Sequence, residues 1–165
     1  MRFSFLDKTE KAKWMPKLFD LLHENMQEIT PSDLPYEQQF AAWSAAVSPA
    51  LEREPRKILM CFDDGELVGF LQYYINDRLL MVEELQLKRE LQRTNALYAF
   101  CKYLLSALPH DLQIIEAYAD RRNQASIRLM NRLGMFPCEE KSETTFVHLR
   151  GSASRVYHFF RRDTV

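Results

Sequence analysis

The spacing of apolar residues predicts two helices in the first third of the chain. Apolar side chains recur at helical intervals over residues 14–26 and again over residues 36–47. Pro16 fits the first turn of the first helix, because a proline there removes no helical hydrogen bond. Asp33 is the expected N-cap of the second helix, with Pro35 just inside it.

The next segments have the length and composition of strands. Residues 57–62 form a continuous apolar run, and residues 67–75 and 79–87 form two more strand-like runs. An Asp-Gly turn signal within residues 63–66 joins the first two runs. Runs of this kind in succession predict an antiparallel meander, and the alternating residues 2–5 predict a further short strand.

A helix, a strand and another helix follow the meander. Residues 97–108 carry an amphipathic helical pattern, and residues 113–119 have the composition of a strand. A short helix then begins at Asn123 or Gln124 and stops at Gly134. This order predicts one parallel strand pair within a mixed α/β sheet.

The last part of the chain is predicted to form a hairpin. Strand-like runs occur at residues 144–149 and 155–160, joined by a turn at Gly151. With 165 residues, the chain is expected to form a single domain over residues 1–165.

Composition argues against several functional classes. The formal net charge is −1, so no overall electrostatic attraction to nucleic acid or to an anionic membrane is expected. No apolar run reaches transmembrane length and residues 1–13 lack the apolar core of a signal peptide, so we expect a cytoplasmic protein. The three cysteines and four histidines are scattered without ligand spacing, so no metal site is expected.

The helix over residues 123–135 also carries a specific motif. Its sequence, NQASIRLMNRLGM, resembles a signature of the GCN5-related N-acetyltransferases (GNAT), N-x-x-A-x-x-L-Y-x-x-x-G-F. The matching positions are filled here by Asn123, Ser126, Leu129, Met130, Gly134 and Met135. The resemblance covers about residues 57–135. It implies the acyl-CoA N-acyltransferase fold, in which an antiparallel meander is followed by a βαβα unit with a parallel strand pair.

The resemblance implies a site for acetyl-CoA. In this family a turn of the form Q/R-x-x-G-x-G/A, at a helix N-terminus, holds the pyrophosphate through backbone amides. The corresponding turn here consists of Gln92, Arg93, Thr94, Asn95, Ala96 and Leu97. The family's glycines are thus replaced by Asn95, which tolerates a left-handed backbone, and by Leu97, which adds bulk.

Further cofactor contacts follow from the same resemblance. In the family two parallel strands splay apart, and the pantetheine arm hydrogen-bonds to the backbone of the first strand. The matching backbone here is that of Leu85, Gln86 and Leu87. Asn123 helps to hold the cofactor. Met130 stands where many relatives have a tyrosine that protonates the leaving thiolate. Methionine cannot donate a proton, so Tyr118 or water would take that role.

Two adjacent glutamates are the candidate catalytic residues. Glu83 and Glu84 lie in one predicted strand, so their side chains are expected on opposite faces. A carboxylate in a partly dry cleft suits a general base for an ammonium substrate, and the family often keeps an acidic residue here. Glu83 is favoured because it would share a face with Leu85 and Leu87. The alternative is that both side chains are simply exposed at the opening of the sheet.

The resemblance therefore implies an N-acetyltransferase. It would move acetyl from acetyl-CoA to a primary amine of a small molecule or peptide, directly and within a ternary complex, without a metal. The two helices before residue 57 and the C-terminal hairpin would shape the acceptor pocket, and the protein would be a monomer or homodimer. The alternative function is a catalytically weakened domain of the same fold that acts as a CoA-binding or protein-interaction module.

Overall fold

The structure contains one seven-stranded sheet. It is a computed structural model that describes residues 1–53, 55–138 and 144–161. In chain order the strands are β1 (Arg2–Phe5), β2 (Lys57–Asp63), β3 (Glu66–Asn76), β4 (Leu79–Leu87), β5 (Ile114–Asp120), β6 (Met135–Pro137) and β7 (Phe146–Ser152). Across the sheet they lie in the order β1-β2-β3-β4-β5-β7-β6. The β4–β5 pair is parallel, and the other neighbouring pairs are antiparallel.

Helices cover both faces of this sheet. They are α1 (Lys11–Met26), α2 (Tyr36–Glu52), α3 (Ala96–Ala107), α4 (Gln124–Arg132) and α5 (Ala153–Arg161). One apolar cluster joins α1 and α2 to β2 and β3, and a larger cluster joins α3 and α5 to strands from β2 to β7. The apolar side chains of α4 pack against the larger cluster. The sheet is therefore the middle layer between two groups of helices.

Strand β2 is apolar at successive positions because both of its faces are covered. Leu59 and Cys61 belong to the larger cluster, whereas Ile58 and Met60 belong to the cluster under α1 and α2. Because successive side chains point to opposite faces, a strand covered on both faces must be apolar at every position. The predicted meander and the predicted mixed sheet with one parallel pair are both confirmed.

The predicted C-terminal hairpin is wrong. Residues 155–160 lie in helix α5, whose buried residues Ala153, Val156 and Phe160 recur at intervals of three and four. Their aromatic content favoured a strand, but burial of this helical stripe decides the conformation. The antiparallel partner of β7 at the sheet edge is instead β6, which spans only three residues and gave no sequence signal.

The proline and capping predictions for the first two helices are also corrected. Helix α1 begins at Lys11, so Pro16 lies inside the helix and beyond its first turn. The N-cap of α2 is Pro35, and Asp33 lies before it. Packing of α1 and α2 against each other and against β2 overrides the local preference of a proline for a helix start.

One glycine permits the close approach of β3 to β4. A Cβ atom added at Gly69 would lie 2.5 Å from Leu87 Cδ2 and 2.9 Å from the Gln86 carbonyl oxygen. Both distances are far below van der Waals contact, and the carbonyl belongs to the backbone, so it cannot turn aside. Gly69 therefore sets the position of the last part of β4.

We predict that Gly69→Ala lowers the free energy of unfolding by about 1–3 kcal/mol, the usual effect of overpacking in a core. Chemical denaturation followed by circular dichroism measures this change. Lys57→Ala, at an exposed strand position, is the control and should change the value by no more than about 0.5 kcal/mol. Equal stability of the Gly69→Ala variant and the unsubstituted protein would show that β4 can move aside without cost.

Candidate functional site

A wedge opens between the two parallel strands. The β4–β5 ladder runs from the Leu79–Ile114 pair to the Val82–Ala117 pair. Beyond that level β4 remains paired with β3, and β5 remains paired with β7. Among the described residues no strand pairs with the two edges that face each other there. These edges can hydrogen-bond an extended group inserted between them.

The turn from Gln92 to Leu97 lies between the end of β4 and the start of α3. A 3-10 turn at Arg89–Leu91 precedes it, and the Ala96 N–H donates to Thr94 Oγ1 at 3.1 Å. Helix α3 begins at Ala96, so the next backbone N–H groups have no acceptor within the helix. The N–H groups of Gln92 and Thr94 already donate to the Arg89 and Leu91 carbonyl oxygens. The amides left for a ligand are therefore those at the start of α3, which carry the partial positive charge of a helix N-terminus.

The turn keeps ordinary backbone angles without glycine. Asn95 has φ −72° and ψ 1°, so it does not adopt the left-handed conformation that an asparagine would tolerate here. Left-handed non-glycine residues in the described chain are Asp64 and Asp77, which lie in the β2–β3 and β3–β4 turns. The bulk of Leu97 is partly accommodated in the core, because its half-buried side chain packs against the larger apolar cluster.

Gln92 ties the turn to the sheet instead of extending from it. Its Nε2 donates to the Leu87 carbonyl oxygen at 3.0 Å and approaches Asn25 Oδ1 at 3.4 Å. Arg93 is exposed. Thr94 and Asn95 are exposed as well, so Arg93 is the basic residue of an exposed turn, where an anionic ligand could reach it.

Helix α4 begins as its sequence predicts. Asn123 is the N-cap, and its side-chain oxygen accepts a hydrogen bond from the Ser126 N–H at 3.1 Å. The side-chain nitrogen of Asn123 donates to no described residue, which leaves it available to a ligand. Met130 is half-buried against the larger apolar cluster, and Gly134 has φ +86°, the left-handed angle expected at a helix end.

A β-bulge changes the directions of the two candidate carboxylates. In the β3–β4 ladder Gln72 pairs with Glu84, but the next residue, Tyr73, pairs with Val82. Glu83 is therefore an extra residue in β4, and such an insertion interrupts the alternation of side chains. Gln72 Nε2 donates to Glu83 Oε2 at 3.0 Å, although Glu84 is its ladder partner.

Both carboxylates consequently lie on the sheet face that α1 and α2 cover. The prediction that Glu83 and Glu84 point to opposite faces is wrong, as is the prediction that Glu83 shares a face with Leu85 and Leu87. The side chains of those leucines pack into the larger cluster on the other face.

Glu83 lines a groove between α2 and the sheet. The groove has a volume of about 520 Å³ and is lined by Ala45, Ala46, Val47, Pro49, Ala50, Arg53, Arg56, Gln72 and Glu83. Arg56 forms a bidentate ion pair with Glu83 through Nε and Nη2. The Glu83 carboxylate raises the pKa of Arg56 above its ordinary value. Two of the charged residues that line the groove, Arg56 and Glu83, are thus paired with each other, and Arg53 adds a second basic side chain to the lining.

Glu84 belongs to a chain of polar side chains that runs to α1. Gln86 Nε2 donates to Glu84 Oε1 at 2.7 Å, and Asn25 Nδ2 donates to Gln86 Oε1 at 2.7 Å and to the Leu87 carbonyl oxygen at 2.9 Å. Glu84 itself is half-buried. Burial raises the pKa of the Glu84 carboxyl, and the neighbouring charge of Glu83 adds to this shift.

Comparison with known proteins assigns the family. The family model described as the acetyltransferase (GNAT) family matches residues 15–135. The chain belongs to the GNAT acetyltransferase family. No curated protein sequence matches it significantly, so the GNAT assignment rests on the family model and on the fold.

Solved structures of GNAT proteins share the fold at low sequence identity. PaiA N-acetyltransferase from Thermoplasma acidophilum, in complex with coenzyme A, superposes with a TM-score of 0.69 at 15% identity, over 92% of this chain and 99% of that one. An acetyltransferase from Thermus thermophilus gives 0.70 at 13% identity, over 92% and 97%. YncA from Salmonella typhimurium, solved with its cofactor acetyl-CoA, gives 0.58 at 14% identity, over 92% and 93%.

Some residues of the candidate site were not found by sequence reasoning. Arg56, Gln72 and Asn25 contact the candidate carboxylates or their neighbours, yet they lie far from residues 83–87 in the chain. The one sequence signal for Asn25 is that a polar residue interrupts the apolar stripe of α1.

Within the described ranges no group of three or more His, Cys, Asp or Glu side chains is arranged to hold a metal ion. Among the described helices none has the length and apolarity needed to cross a membrane.

The raised pKa of Glu84 gives a prediction for stability. The folded state keeps a proton that the unfolded state loses above its ordinary pKa of 4.5, so this group lowers the stability of the protein as pH rises from there. Glu84→Gln removes the effect while keeping the oxygen that Gln86 contacts. The variant should therefore gain unfolding free energy relative to the unsubstituted protein as pH increases, at no more than about 1.4 kcal/mol per pH unit.

Urea denaturation of both proteins between pH 4 and pH 8 measures this difference. Glu66→Gln, at a strongly exposed carboxyl, is the matched control and should show little such gain. A difference between Glu84→Gln and the unsubstituted protein that stays constant with pH would contradict the argument.

Proposed function

We propose that this GNAT domain transfers an acetyl group from acetyl-CoA to a primary amine, directly and within a ternary complex. The wedge between β4 and β5 carries the proposal, because an open strand edge and a helix N-terminus lie beside it and Glu83, where β4 and β5 part, lines the neighbouring groove. The acceptor is a small molecule or a peptide terminus that the groove can admit.

Acetyl-CoA fits the features at the two ends of the wedge. The backbone of Leu85, Gln86 and Leu87 offers the strand edge for the pantetheine arm. The turn formed by Gln92, Arg93, Thr94, Asn95, Ala96 and Leu97 offers amides for the pyrophosphate, with the exposed Arg93 beside them. Related structures of PaiA and YncA contain coenzyme A and acetyl-CoA, respectively, which supports this assignment.

The missing glycines do not remove the amide site. A glycine is required where the backbone is left-handed or where a side chain would block approach. Asn95 has ordinary angles, and the Leu97 side chain is partly withdrawn into the core. The N–H groups at the start of α3 therefore remain in place to bind an anion.

The acceptor amine enters on the face of Glu83. The groove between α2 and the sheet leads to this carboxylate, which is held in place by Arg56 and Gln72. Opening of the Arg56 ion pair frees it to bind an ammonium group and to take its proton. Glu83 is our choice for the general base, and Glu84, whose pKa is raised by burial, is the second candidate.

The transfer has a simple balance of bonds and protons. The amine nitrogen attacks the acetyl carbon, the carbon–sulfur bond breaks, and the nitrogen's proton passes to the glutamate directly or through water. Met130 cannot protonate the departing thiolate. Water or Tyr118, which is exposed on β5 beyond the level where the strands part, supplies that proton.

Asn123 provides a test of cofactor binding that separates function from folding. Asn123→Ser keeps the helix cap but removes the side-chain amide donor, so the unfolding free energy should be nearly unchanged. Its affinity for acetyl-CoA should fall by about tenfold, the scale of a hydrogen bond with a charged or strongly polar partner. Asn123→Ala should lose the same affinity and, in addition, about 1 kcal/mol of stability.

Isothermal titration calorimetry with acetyl-CoA and denaturation curves give the two quantities. Arg93→Glu provides a second arm, because a carboxylate beside the turn should repel the pyrophosphate and weaken binding further. No binding by the unsubstituted protein would reject the cofactor site and favour an interaction module.

The two carboxylates can be separated by their effects on rate. Glu83→Gln should lower the acetyl-transfer rate by about 10²–10⁴-fold, the usual contribution of a general base, with acetyl-CoA affinity nearly unchanged. Glu84→Gln serves as the matched control and should lower it much less. Release of the CoA thiol, measured across a panel of primary amines, provides the assay. A larger loss in Glu84→Gln would transfer the role of base to Glu84, and full activity in both variants would exclude both.

A further inference from the structure

A row of reactive side chains runs from the β5 edge of the wedge across the other half of the sheet. Tyr118 on β5 pairs with His148 on β7, and the Cys138 N–H bonds the His148 carbonyl oxygen at 3.1 Å, just after β6. The three residues are therefore lateral neighbours on three adjacent strands. The Tyr118 and His148 rings stack with centroids 4.5 Å apart.

The imidazole of His148 connects a thiol to a buried carboxylate. Cys138 Sγ lies 3.1 Å from His148 Nδ1, and His148 Nε2 lies 3.1 Å from Glu116 Oε2. Glu116 is buried, and Arg150 Nε contacts its other oxygen at 2.8 Å. A buried carboxylate paired with a guanidinium is held as the anion, because its charge is compensated.

This arrangement fixes the tautomer of His148. An ionised Glu116 can only accept a hydrogen bond, so the neutral imidazole carries its proton on Nε2. The lone pair of Nδ1 then faces the Cys138 sulfur and can take the thiol proton. A thiol, an imidazole and an orienting carboxylate in this order are the parts of an activated nucleophile.

Exposure distinguishes Cys138 from the other cysteines. Cys61 is buried and Cys101 is half-buried on α3, whereas Cys138 is exposed. Burial raises the pKa of the Cys61 thiol to about 11 and that of the Cys101 thiol to about 12, so neither forms a thiolate near neutral pH. The chain thus contains its own unreactive thiols for comparison.

We propose that Cys138 is a thiol modification site that reacts with small disulfides by exchange. His148 Nδ1 takes the proton from Cys138, and the thiolate attacks one sulfur of the disulfide. A new sulfur–sulfur bond forms as the old one breaks, and the released thiolate takes the proton from His148. Cys138 is oxidised to a mixed disulfide while one half of the reagent is reduced to a thiol.

The site is independent of acetyl transfer. Neighbouring strands are about 4.8 Å apart, so Cys138 lies about 10 Å from β5 across β7 and outside the wedge. Its electrophile therefore comes from solvent and not from a group held between β4 and β5. Failure of the proposed acetyl transfer would leave this inference unaffected.

The experiment measures the rate of reaction of the folded protein with dithiodipyridine, a small neutral disulfide whose released thione absorbs light. One rapid equivalent should react, and peptide mass spectrometry should place it on Cys138. At the same pH the rate should exceed that of N-acetylcysteine by about tenfold. An ordinary thiol is only partly ionised near neutral pH, so a larger thiolate fraction can raise the rate by this much. Cys138→Ser should abolish the rapid phase.

Substitutions separate activation from mere exposure. His148→Gln should reduce the rate to that of N-acetylcysteine, and Glu116→Gln should reduce it partly, because the imidazole then loses its orienting anion. His110→Gln, which replaces an exposed imidazole outside this row, is the matched control and should react as fast as the unsubstituted protein. Thermal melting verifies that each variant is folded.

Two results would overturn the proposal. One is a Cys138 rate no faster than that of N-acetylcysteine in the unsubstituted protein, a comparison that needs no variant to fold. The other is an unchanged rate in a folded His148→Gln protein, which would show that exposure alone makes Cys138 reactive.

Discussion

The candidate site depends on one extra residue in β4. Glu83 is inserted between the Val82–Tyr73 and Glu84–Gln72 pairs, and the parallel ladder with β5 ends at Val82. A bulge bends its strand and interrupts pairing on one edge. Because both events occur at the same level, the insertion accounts for the opening of the wedge and for the placement of two carboxylates on one face. The open strand edge and the position of Glu83 at the groove thus share a single structural origin.

A second constraint holds the glycine-free turn in place. Asn25 donates to Gln86 and to the Leu87 carbonyl oxygen, and Gln92 donates to that same carbonyl. These bonds join α1, the last residues of β4 and the turn before α3. Polar groups buried at this junction would be costly if unpaired, so the network specifies one arrangement of the three elements. These hydrogen bonds fix the conformation of the turn, which contains no glycine.

Local signals predict part of this fold, and contacts between distant segments decide the rest. Asn123 and Gly134 mark the two ends of α4 through their own backbone preferences, so a few residues suffice to place that helix. No local pattern marks Glu83 as a bulge, since the insertion is defined only by its partners on β3. Residues 155–160 have strand-like composition, yet burial against the sheet selects a helix. Arg56 meets Glu83 only after β2 and β4 have joined the same sheet, because tertiary packing overrides local propensity.

The two adjacent glutamates, Glu83 and Glu84, have different surroundings. Arg56 compensates the charge of Glu83, and this fixed negative charge adds to the burial that raises the pKa of Glu84. Glu83 is therefore ion-paired at the groove, while burial raises the pKa of its neighbour Glu84. Carboxyl groups in different surroundings can take different chemical roles. The position of Glu83 at the groove, where an incoming ammonium group could reach it, is the reason that we propose it rather than Glu84 as the general base.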